Sequence, residues 1–190
     1  MASGNWPQGV RIDPVTGALA PETGHYTKRL SELRHIFHDA PALERAVAQQ
    51  ADPVVYDVAE YRQPDSDLYF GTTTIFPGTV GDEYYMTRGH FHERPDAAEI
   101  YSALHGTGVL LLESRTGENK IVEMTPGVTA FIPPEWAHRT MNVGRDNFVF
   151  LWACSPTAGH DYSQILKKGM RQLLLQRDGR PELVPNPNWS

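Results

Sequence analysis

The sequence contains a single cysteine, Cys154, among its 190 residues. A disulfide framework within the chain is therefore excluded. Cys154 lies in the apolar run FVFLWAC, where we interpret it as a small buried hydrophobic side chain. A chain that forms no disulfides is suited to a reducing compartment.

Long hydrophobic runs are also missing. No apolar stretch approaches the roughly 20 residues that a helix needs to span a bilayer. The opening residues, MASGNWPQGV, contain neither the positively charged region nor the apolar region of a secretory signal. We therefore expect a cytoplasmic protein that has no membrane partner.

An excess of positive charge is the third absence. The chain has 17 Lys and Arg residues against 23 Asp and Glu residues, so its formal net charge is -6. A protein that binds nucleic acid in general presents a basic surface, so we expect no nucleic-acid partner. A small anionic substrate remains compatible, because a few cations and backbone N–H groups suffice to bind one phosphate.

The composition that is present fits one soluble domain. Hydrophobic residues make up 40% and charged residues 21% of the chain, which is ordinary for a globular protein. The length allows a substantial core. We predict a single domain with an N-terminal arm and short helices at about residues 1–52, a barrel core at about 53–155, and a helix and hairpin at about 156–190.

The central part predicts an all-β core. Short runs rich in β-branched and aromatic residues are separated by Gly, Pro and Asn at intervals of roughly eight to twelve residues, a spacing typical of an antiparallel sandwich or barrel. The runs are PVVYDVAEY, LYFGTTTIFPG, EYYMTRGHFH, EIYSALHGTGVLLLES, KIVEMTPGVTAFIPP, AHRTMNVG and NFVFLWACS.

The N-terminal part predicts an arm and two helices. Residues 1–25 are rich in Pro and Gly and are expected to lie along the surface. LSELRHIF places its apolar residues on one helical face. APALERAVAQQ predicts a second short helix, which tolerates Pro41 in its first turn.

The C-terminal part predicts one helix and one hairpin. HDYSQILKKG is typical of a helix that ends at Gly169. MRQLLLQRDGRPELV predicts two strands joined at Asp178-Gly179.

Two histidines separated by one residue suggest a metal site. On a strand, His90 and His92 project from the same face, and Phe91 projects from the other. Two such imidazoles can bind one divalent cation. Glu99 begins the next run, and His138 lies near the start of a later one. The histidine pair alone is equally compatible with a structural role.

The first of these segments resembles the first cupin motif. His90 and His92 match its histidine pair, and Glu99 followed by six residues and Gly106 matches its second half. The segment departs from the common motif because six residues separate His92 from Glu99, where most cupins have three or four.

The second segment resembles the second cupin motif. Gly127, Pro133, His138 and Asn142 stand at the motif's spacing. Glu135 stands where the motif usually has glycine. The departures in both motifs place the chain away from the mainstream of the superfamily.

Longer blocks are similar to one branch, the cupin-type phosphoglucose isomerases first familiar from archaea. The similarity covers most of the chain. The blocks are RIDPVTG, DPVVYDV, TTTIFPGTVGDEYY, TRGHFHERPDAAEIYSALHGTG, FIPPEWAHRTMNVG, AGHDYSQILKKG and NPNW.

The resemblance implies a cupin double-stranded β-helix, or jelly-roll barrel, with short peripheral helices at both ends of the chain. It implies a homodimer that isomerises glucose 6-phosphate and fructose 6-phosphate. It also implies one divalent transition metal per subunit, Fe(II) first, with Mn, Ni or Zn as alternatives. The metal ligands carried over by the resemblance are His90, His92, Glu99 and His138.

The resemblance also assigns substrate contacts. Thr73, Thr87 and the backbone of Gly89 match positions that hold the phosphate. Arg88 stands where Lys is common, which keeps the charge and changes its geometry. Other positions around the sugar phosphate match Tyr56, Tyr101, His160 and Tyr162. Glu135 replaces a tyrosine that is common near the pocket.

The catalytic residues implied by the resemblance are Glu99, His138 and Tyr101. Glu99 is the natural base if a proton moves through a cis-enediol. A direct hydride shift, with a metal polarising both oxygens, is the alternative that the sequence leaves open. Two other functions also remain open: a metal cupin of another class, such as a dioxygenase or decarboxylase, and a sugar-binding cupin without catalytic activity.

Overall fold

The computed structural model describes residues 6–189. In chain order the strands are β1 (Arg11–Ile12), β2 (Leu19–Ala20), β3 (Gly24–Arg29), β4 (Val54–Tyr61), β5 (Tyr69–Ile75), β6 (Thr79–Val80), β7 (Glu83–Tyr84), β8 (Glu99–His105), β9 (Gly108–Ser114), β10 (Asn119–Met124), β11 (Thr129–Ile132), β12 (Trp136–Asn142), β13 (Phe148–Cys154), β14 (Gln172–Arg177) and β15 (Arg180–Pro185). The helices are a 3-10 helix (Leu30–Leu33), α1 (Ala40–Gln49) and α2 (Ser163–Lys168).

Antiparallel sheets form the core, as the all-β prediction requires. The largest sheet has the strand order β11-β8-β13-β5-β4-β3, and a second sheet has the order β10-β9-β12. Both contribute to the main hydrophobic core, for example through Tyr101 and Phe150 of the first sheet and Leu110 and Met141 of the second. The predicted cupin barrel with peripheral helices is confirmed.

Alternation along the strands decides which side chains face inward. In β8, Glu99 and Tyr101 are buried, while Ile100 between them is 38% exposed. Because successive residues of a strand point to opposite faces, Glu99 and Tyr101 share the inner face of the barrel.

The predicted terminal elements are largely confirmed. The side chain of Asp39 accepts a hydrogen bond from the Ala42 N–H over 2.8 Å and caps α1. α2 ends at Gly169, whose φ is 72°, a value that glycine adopts without strain. β14 and β15 form the predicted hairpin, and Leu175 of β14 pairs with Glu83 of β7.

Two expectations about the N-terminal part need correction. Within LSELRHIF only Leu30–Leu33 is helical, and the helix is of the 3-10 type, because the chain turns there and the Ile36 N–H donates to the Leu33 carbonyl over 2.9 Å. Its apolar residues are nevertheless buried. Strand β3 was not predicted; it pairs with β4 and extends the large sheet.

Three predicted runs are interrupted, and one of them, KIVEMTPGVTAFIPP, divides into β10 and β11. EYYMTRGHFH is not one strand: beyond β7 it makes only isolated bridges, and Gly89 has a φ of +76°, which ends any regular ladder there. The run EIYSALHGTGVLLLES divides into β8 and β9, because the chain turns at Gly106, with a φ of +73°.

The arm lies on the outer face of the large sheet. Its side chains Val10, Ile12 and Leu19 pack against Ala59 and Tyr61 of β4. The first five residues of the predicted arm lie outside the described part of the chain. Within the described part, the helices are too short or too polar to cross a membrane.

Candidate metal centre and substrate cleft

Four side chains from three places in the chain meet inside the barrel. His90, His92, Glu99 and His138 each offer one ligand atom, and these atoms lie within 4.8 Å of one another. Glu99 comes from the start of β8 and His138 from β12. The group therefore contains every ligand that the resemblance implied.

The segment that contains His90 and His92 is held by backbone hydrogen bonds along both of its edges. His90 pairs with His138, and Phe91 pairs with Asp161, whose N–H donates to the Phe91 carbonyl over 2.8 Å. Phe91 is fully buried away from the ligand group. The His90 and His92 ring centroids lie 5.6 Å apart on the other side.

The hydrogen bonds of the imidazoles orient their Nε2 atoms toward Glu99. His92 Nδ1 lies 3.1 Å from the Ala97 carbonyl, and His138 Nδ1 lies 3.2 Å from the Trp136 carbonyl. Each Nδ1 must donate to its carbonyl, so in a neutral ring Nε2 carries a lone pair. Metal-binding histidines typically show this arrangement.

The Glu99 carboxylate faces these lone pairs at short range. Its Oε2 lies 3.3 Å from His92 Nε2 and 3.1 Å from His138 Nε2. His138 Nε2 is buried and has no hydrogen bond of acceptable geometry to any described residue. Acceptors that face each other at this distance require a proton or a cation between them. The donor set therefore fits a divalent metal ion.

Glu99 and His90 have the charge states that this role needs, whereas the pKa of His92 is raised, because burial, which opposes the shift, is outweighed by its contacts with Glu99 and the Ala97 carbonyl. Burial opposes ionisation of Glu99, but the contacts with His138 and His92 outweigh it and lower the pKa of Glu99 to about 2. Burial, followed by the nearby imidazoles, lowers the pKa of His90 well below its usual value. An ionised carboxylate beside a neutral imidazole is the state in which both bind metals.

A cleft opens from this group toward the surface. It brings together most of the residues that the resemblance assigned. Those that line it are Tyr56, Thr73, Thr87, Arg88, Gly89, His90, Glu99, Tyr101, His160 and Tyr162. His92 and His138 lie behind the lining, in the ligand group.

One end of the cleft presents several hydrogen-bond donors. The Thr87 hydroxyl oxygen accepts the Thr140 N–H over 3.0 Å, which leaves its own hydrogen available. Arg88 Nε is buried and has no partner in the described part of the chain. The buried Arg139 guanidinium donates to the Arg88 carbonyl over 2.8 Å and fixes the turn at Gly89.

Aromatic rings form one wall of the cleft. His160 stacks on Tyr162 with an interplanar angle of 3°, and its ring centroid lies 4.3 Å from that of His90. The Arg88 guanidinium lies 5.1 Å from the Tyr162 ring centroid. The segment after β13 therefore packs against both the ligand group and the cationic end.

Two phenols in the cleft remain protonated at neutral pH. Burial raises the pKa of Tyr56 to about 12. Burial and the neighbouring Glu99 charge raise the pKa of Tyr101 well above its usual value. Both hydroxyls can therefore donate hydrogen bonds to a substrate oxygen.

Glu135 does not line the cleft, although the resemblance placed this position near the pocket. It is exposed, has a φ of 66°, and pairs with Arg115 over 2.5 Å. The Arg115 guanidinium in turn lies 4.2 Å from the Phe91 ring centroid. Glu135 therefore helps to hold the Arg115 side chain that packs on Phe91.

Sequence reasoning missed several residues of the cleft wall. Tyr26, Glu60, Tyr69 and Trp152 also line it. Glu60 was detectable in principle, because it lies four residues after Tyr56 in a run that alternates between two faces. Tyr26 was not, since strand β3 was not predicted.

Comparisons with known proteins agree with one another. A sequence profile described as "Glucose-6-phosphate isomerase (GPI)" matches residues 27–187. A glucose-6-phosphate isomerase from Thermococcus gammatolerans is 42% identical over 97% of this chain and 97% of its own length. One from Pyrococcus furiosus is 40% identical over 96% of this chain and 97% of its own. A putative glucose-6-phosphate isomerase 1 from Rhizobium meliloti is 40% identical over 96% of this chain and 87% of its own.

The similarity to the solved structure of an oxalate oxidase is limited to the fold. An oxalate oxidase in complex with the substrate analogue glycolate superposes with a TM-score of 0.50 and 16% identity. The match covers 62% of this chain and 59% of that chain. It supports the barrel architecture and carries no argument about the reaction.

Proposed function

Because the chain belongs to the glucose-6-phosphate isomerase family, in its cupin form, we propose that it interconverts glucose 6-phosphate and fructose 6-phosphate. The proposal includes one divalent metal per subunit. The observation that carries the proposal is a single cleft with donors for a phosphate at one end and the His90, His92, Glu99 and His138 group at the other.

The four-residue group is the proposed metal site. Three imidazoles and one carboxylate suit Fe(II), Mn, Ni or Zn, and affinity alone does not choose among them. The family resemblance puts Fe(II) first. The metal would supply Lewis acidity toward the oxygens on C1 and C2 of the sugar. His92 and His138 are held in position by hydrogen bonds from Nδ1 to the backbone carbonyls of Ala97 and Trp136.

The donor-rich end is the proposed phosphate site. The hydroxyls of Thr73 and Thr87, the N–H of Gly89 and the Arg88 guanidinium line it. A dianion gains charge-assisted hydrogen bonds from such donors. Tyr56, His160 and Tyr162 enclose the substrate beside this end. Binding there directs the reacting carbons of the open-chain sugar toward Glu99.

Glu99 is the proposed base. Its Oε2 makes both contacts with the imidazoles, so Oε1 is the oxygen that His92 and His138 leave free. Glu99 removes the proton from C2 of glucose 6-phosphate, and the O2 hydroxyl passes its proton to O1 within the resulting cis-enediol intermediate. Glu99 then returns its proton to C1 as the C2–O2 bond becomes a carbonyl. His138 orients the carboxylate, and the Tyr101 hydroxyl donates to a substrate oxygen.

A homodimer is part of the proposal, through the outer face of β8 and β11. Phe131 is 66% exposed there and pairs in register with Ile100, which is also exposed. The arm covers the same sheet face over β4 and leaves this part open. A second copy that presents the same apolar strip of Phe131 and Ile100 would bury these two side chains in each protomer.

Turnover with controlled metal content tests the function. Purified protein is mixed with fructose 6-phosphate, and formation of glucose 6-phosphate is followed before and after EDTA and after addition of each metal. We expect conversion that is lost with chelator and restored by metal. Conversion in D2O distinguishes proton transfer, which incorporates deuterium, from a hydride shift, which does not. Oxygen uptake without isomerisation would instead indicate a metal cupin of another class.

A further inference from the structure

The Glu60 carboxylate lies in the cleft between two glycines of the sheet. Glu60 shares the inward face of β4 with Tyr56 and Val58, which also line the cleft. Its neighbours in register are Gly24 of β3 and Gly71 of β5. A Cβ on Gly24 would lie 3.1 Å from Glu60 Oε2. Glycine at this position therefore leaves the room that the carboxylate occupies.

The Glu60 carboxylate has no protein partner among the residues that the structure describes. Within residues 6–189 it accepts no hydrogen bond and forms no ion pair. Burial raises the pKa of Glu60, and the charge of Arg62 opposes this shift. A half-buried acceptor without donors gains most from a ligand that supplies them, because a charged hydrogen bond is stronger than a neutral one.

Glu60 stands away from the phosphate end of the cleft. Along β4, Val58 pairs in register with Thr73 of the phosphate end, whereas Glu60 pairs with Gly71, two residues further along. Tyr26 of β3 also pairs with Val58, one step nearer the phosphate end than Glu60. The cleft therefore runs from a cationic end to a wall that carries a free carboxylate.

We propose that Glu60 is a specificity-determining residue that binds the hydroxyl groups of the sugar chain between its phosphate and its reacting carbons. This inference rests on the proposed function and extends it to the substrate's hydroxyls. An ionised carboxylate only accepts hydrogen bonds, and its two oxygens can receive two adjacent hydroxyls. It also repels a phosphate, so it disfavours the reversed orientation of the substrate.

Ligand binding to the metal-free protein tests Glu60 independently of turnover. The affinities of fructose 6-phosphate and inorganic phosphate are measured by calorimetry for wild type, Glu60→Ala and Glu60→Gln. Loss of the acceptor should weaken the binding of fructose 6-phosphate about tenfold. The affinity for inorganic phosphate should stay unchanged or rise slightly. In the metal-loaded enzyme, KM should rise much more than kcat falls. Glu182→Gln, an exposed strand glutamate of β15, is the matched control.

The outcomes separate this inference from the proposed function. Wild-type affinity of Glu60→Ala for fructose 6-phosphate would overturn the role of Glu60 while leaving isomerase activity in place. Absence of turnover with every metal, together with weaker sugar-phosphate binding by Glu60→Ala, would overturn the isomerase function and support the binding role. A wild-type protein that does not bind fructose 6-phosphate would overturn both. Thermal unfolding of the near-isosteric Glu60→Gln variant checks that folding is retained.

Discussion

His90 and His138 lie directly opposite each other and exchange both backbone hydrogen bonds. The His90 N–H donates to the His138 carbonyl over 3.3 Å, and the His138 N–H donates to the His90 carbonyl over 3.0 Å. Their ring centroids lie 4.3 Å apart. The two cupin motifs are thus joined at their histidines by main-chain bonds that do not depend on the side chains.

His90→Ala should therefore lose metal and keep the fold. The backbone pair with His138 survives the change, and the imidazole is the only part removed. We expect metal affinity to fall by more than the roughly 10–100-fold that loss of an outer hydrogen-bond partner causes. Metal content after purification without chelator measures this. His35→Ala, at an exposed position, is the control; full metal content in His90→Ala would exclude His90 as a ligand.

Glu99→Gln should reduce turnover much more than stability. The amide has nearly the same shape, but it cannot accept a proton from carbon, so kcat should fall by at least about 100-fold. Steady-state rates are measured at matched metal content, with thermal unfolding of the same samples. Near-normal turnover would remove Glu99 from the proton transfer.

Gly89→Ala should destabilise the turn below the phosphate site. A Cβ there would lie 3.0 Å from Arg139 Cβ and 3.2 Å from the His138 carbonyl oxygen, at a φ of +76°. Gly179→Ala has nearly the same φ, +73°, with open space around it. The positive φ costs each variant about 1–2 kcal/mol, and we expect a further cost of about 1–3 kcal/mol for overpacking at Gly89. Chemical denaturation measures the stabilities of the two variants, and the KM for fructose 6-phosphate tests the phosphate site. Equal stabilities of Gly89→Ala and Gly179→Ala would contradict the predicted clash.

His38 should make stability depend on pH. Its Nδ1 lies 2.9 Å from Glu83 Oε2, and this hydrogen bond raises the pKa of His38 above its usual 6.5, although burial opposes the shift; the charges of Glu83, Asp82 and Asp39 add to it. A raised pKa in the folded state stabilises the protein fully below pH 6.5, and this contribution is lost as pH rises through the folded-state value. The loss of unfolding free energy in His38→Asn should therefore be largest in acid and should decline as the pH increases.

A double-mutant cycle isolates this pair. In a Glu83→Gln background the hydrogen-bonded carboxylate is gone, so His38→Asn should lose most of its pH-dependent effect. Urea denaturation across the pH range measures each corner of the cycle. An unchanged pH dependence in the Glu83→Gln background would assign it to another group.

Phe131→Lys should convert the proposed dimer to monomer. The substitution puts a charge in the centre of the apolar strip on β11, where burial without a partner is unfavourable. Sedimentation velocity measures the mass, and thermal unfolding should change little because Phe131 is 66% exposed. Ile121→Lys is the control, since Ile121 is 46% exposed on β10 of the other sheet. A dimer that persists in Phe131→Lys would exclude this face.

Much of the fold was predictable because its signals are local. The alternation in PVVYDVAEY, the proline-led start of α1 and the Asp178-Gly179 turn depend only on neighbouring residues. Strand β3 was missed because its residues, GHYTKR, are mostly polar and form the edge of the sheet. Pairing with β4, which is distant in sequence, makes that segment a strand.

The proposed ligand residues were predictable from their types and their spacing in the cupin-like motifs, but their chemistry depends on the fold. The sequence by itself determined that three histidines and one glutamate lie in two cupin-like motifs. Only the tertiary structure decided that the Nε2 atoms of His92 and His138 face one oxygen of Glu99. The carbonyls of Ala97 and Trp136 hold the opposite side of these two rings. The tertiary structure also decided that Glu60 has no partner among residues 6–189, since its neighbours across the sheet are glycines that no local pattern places beside it.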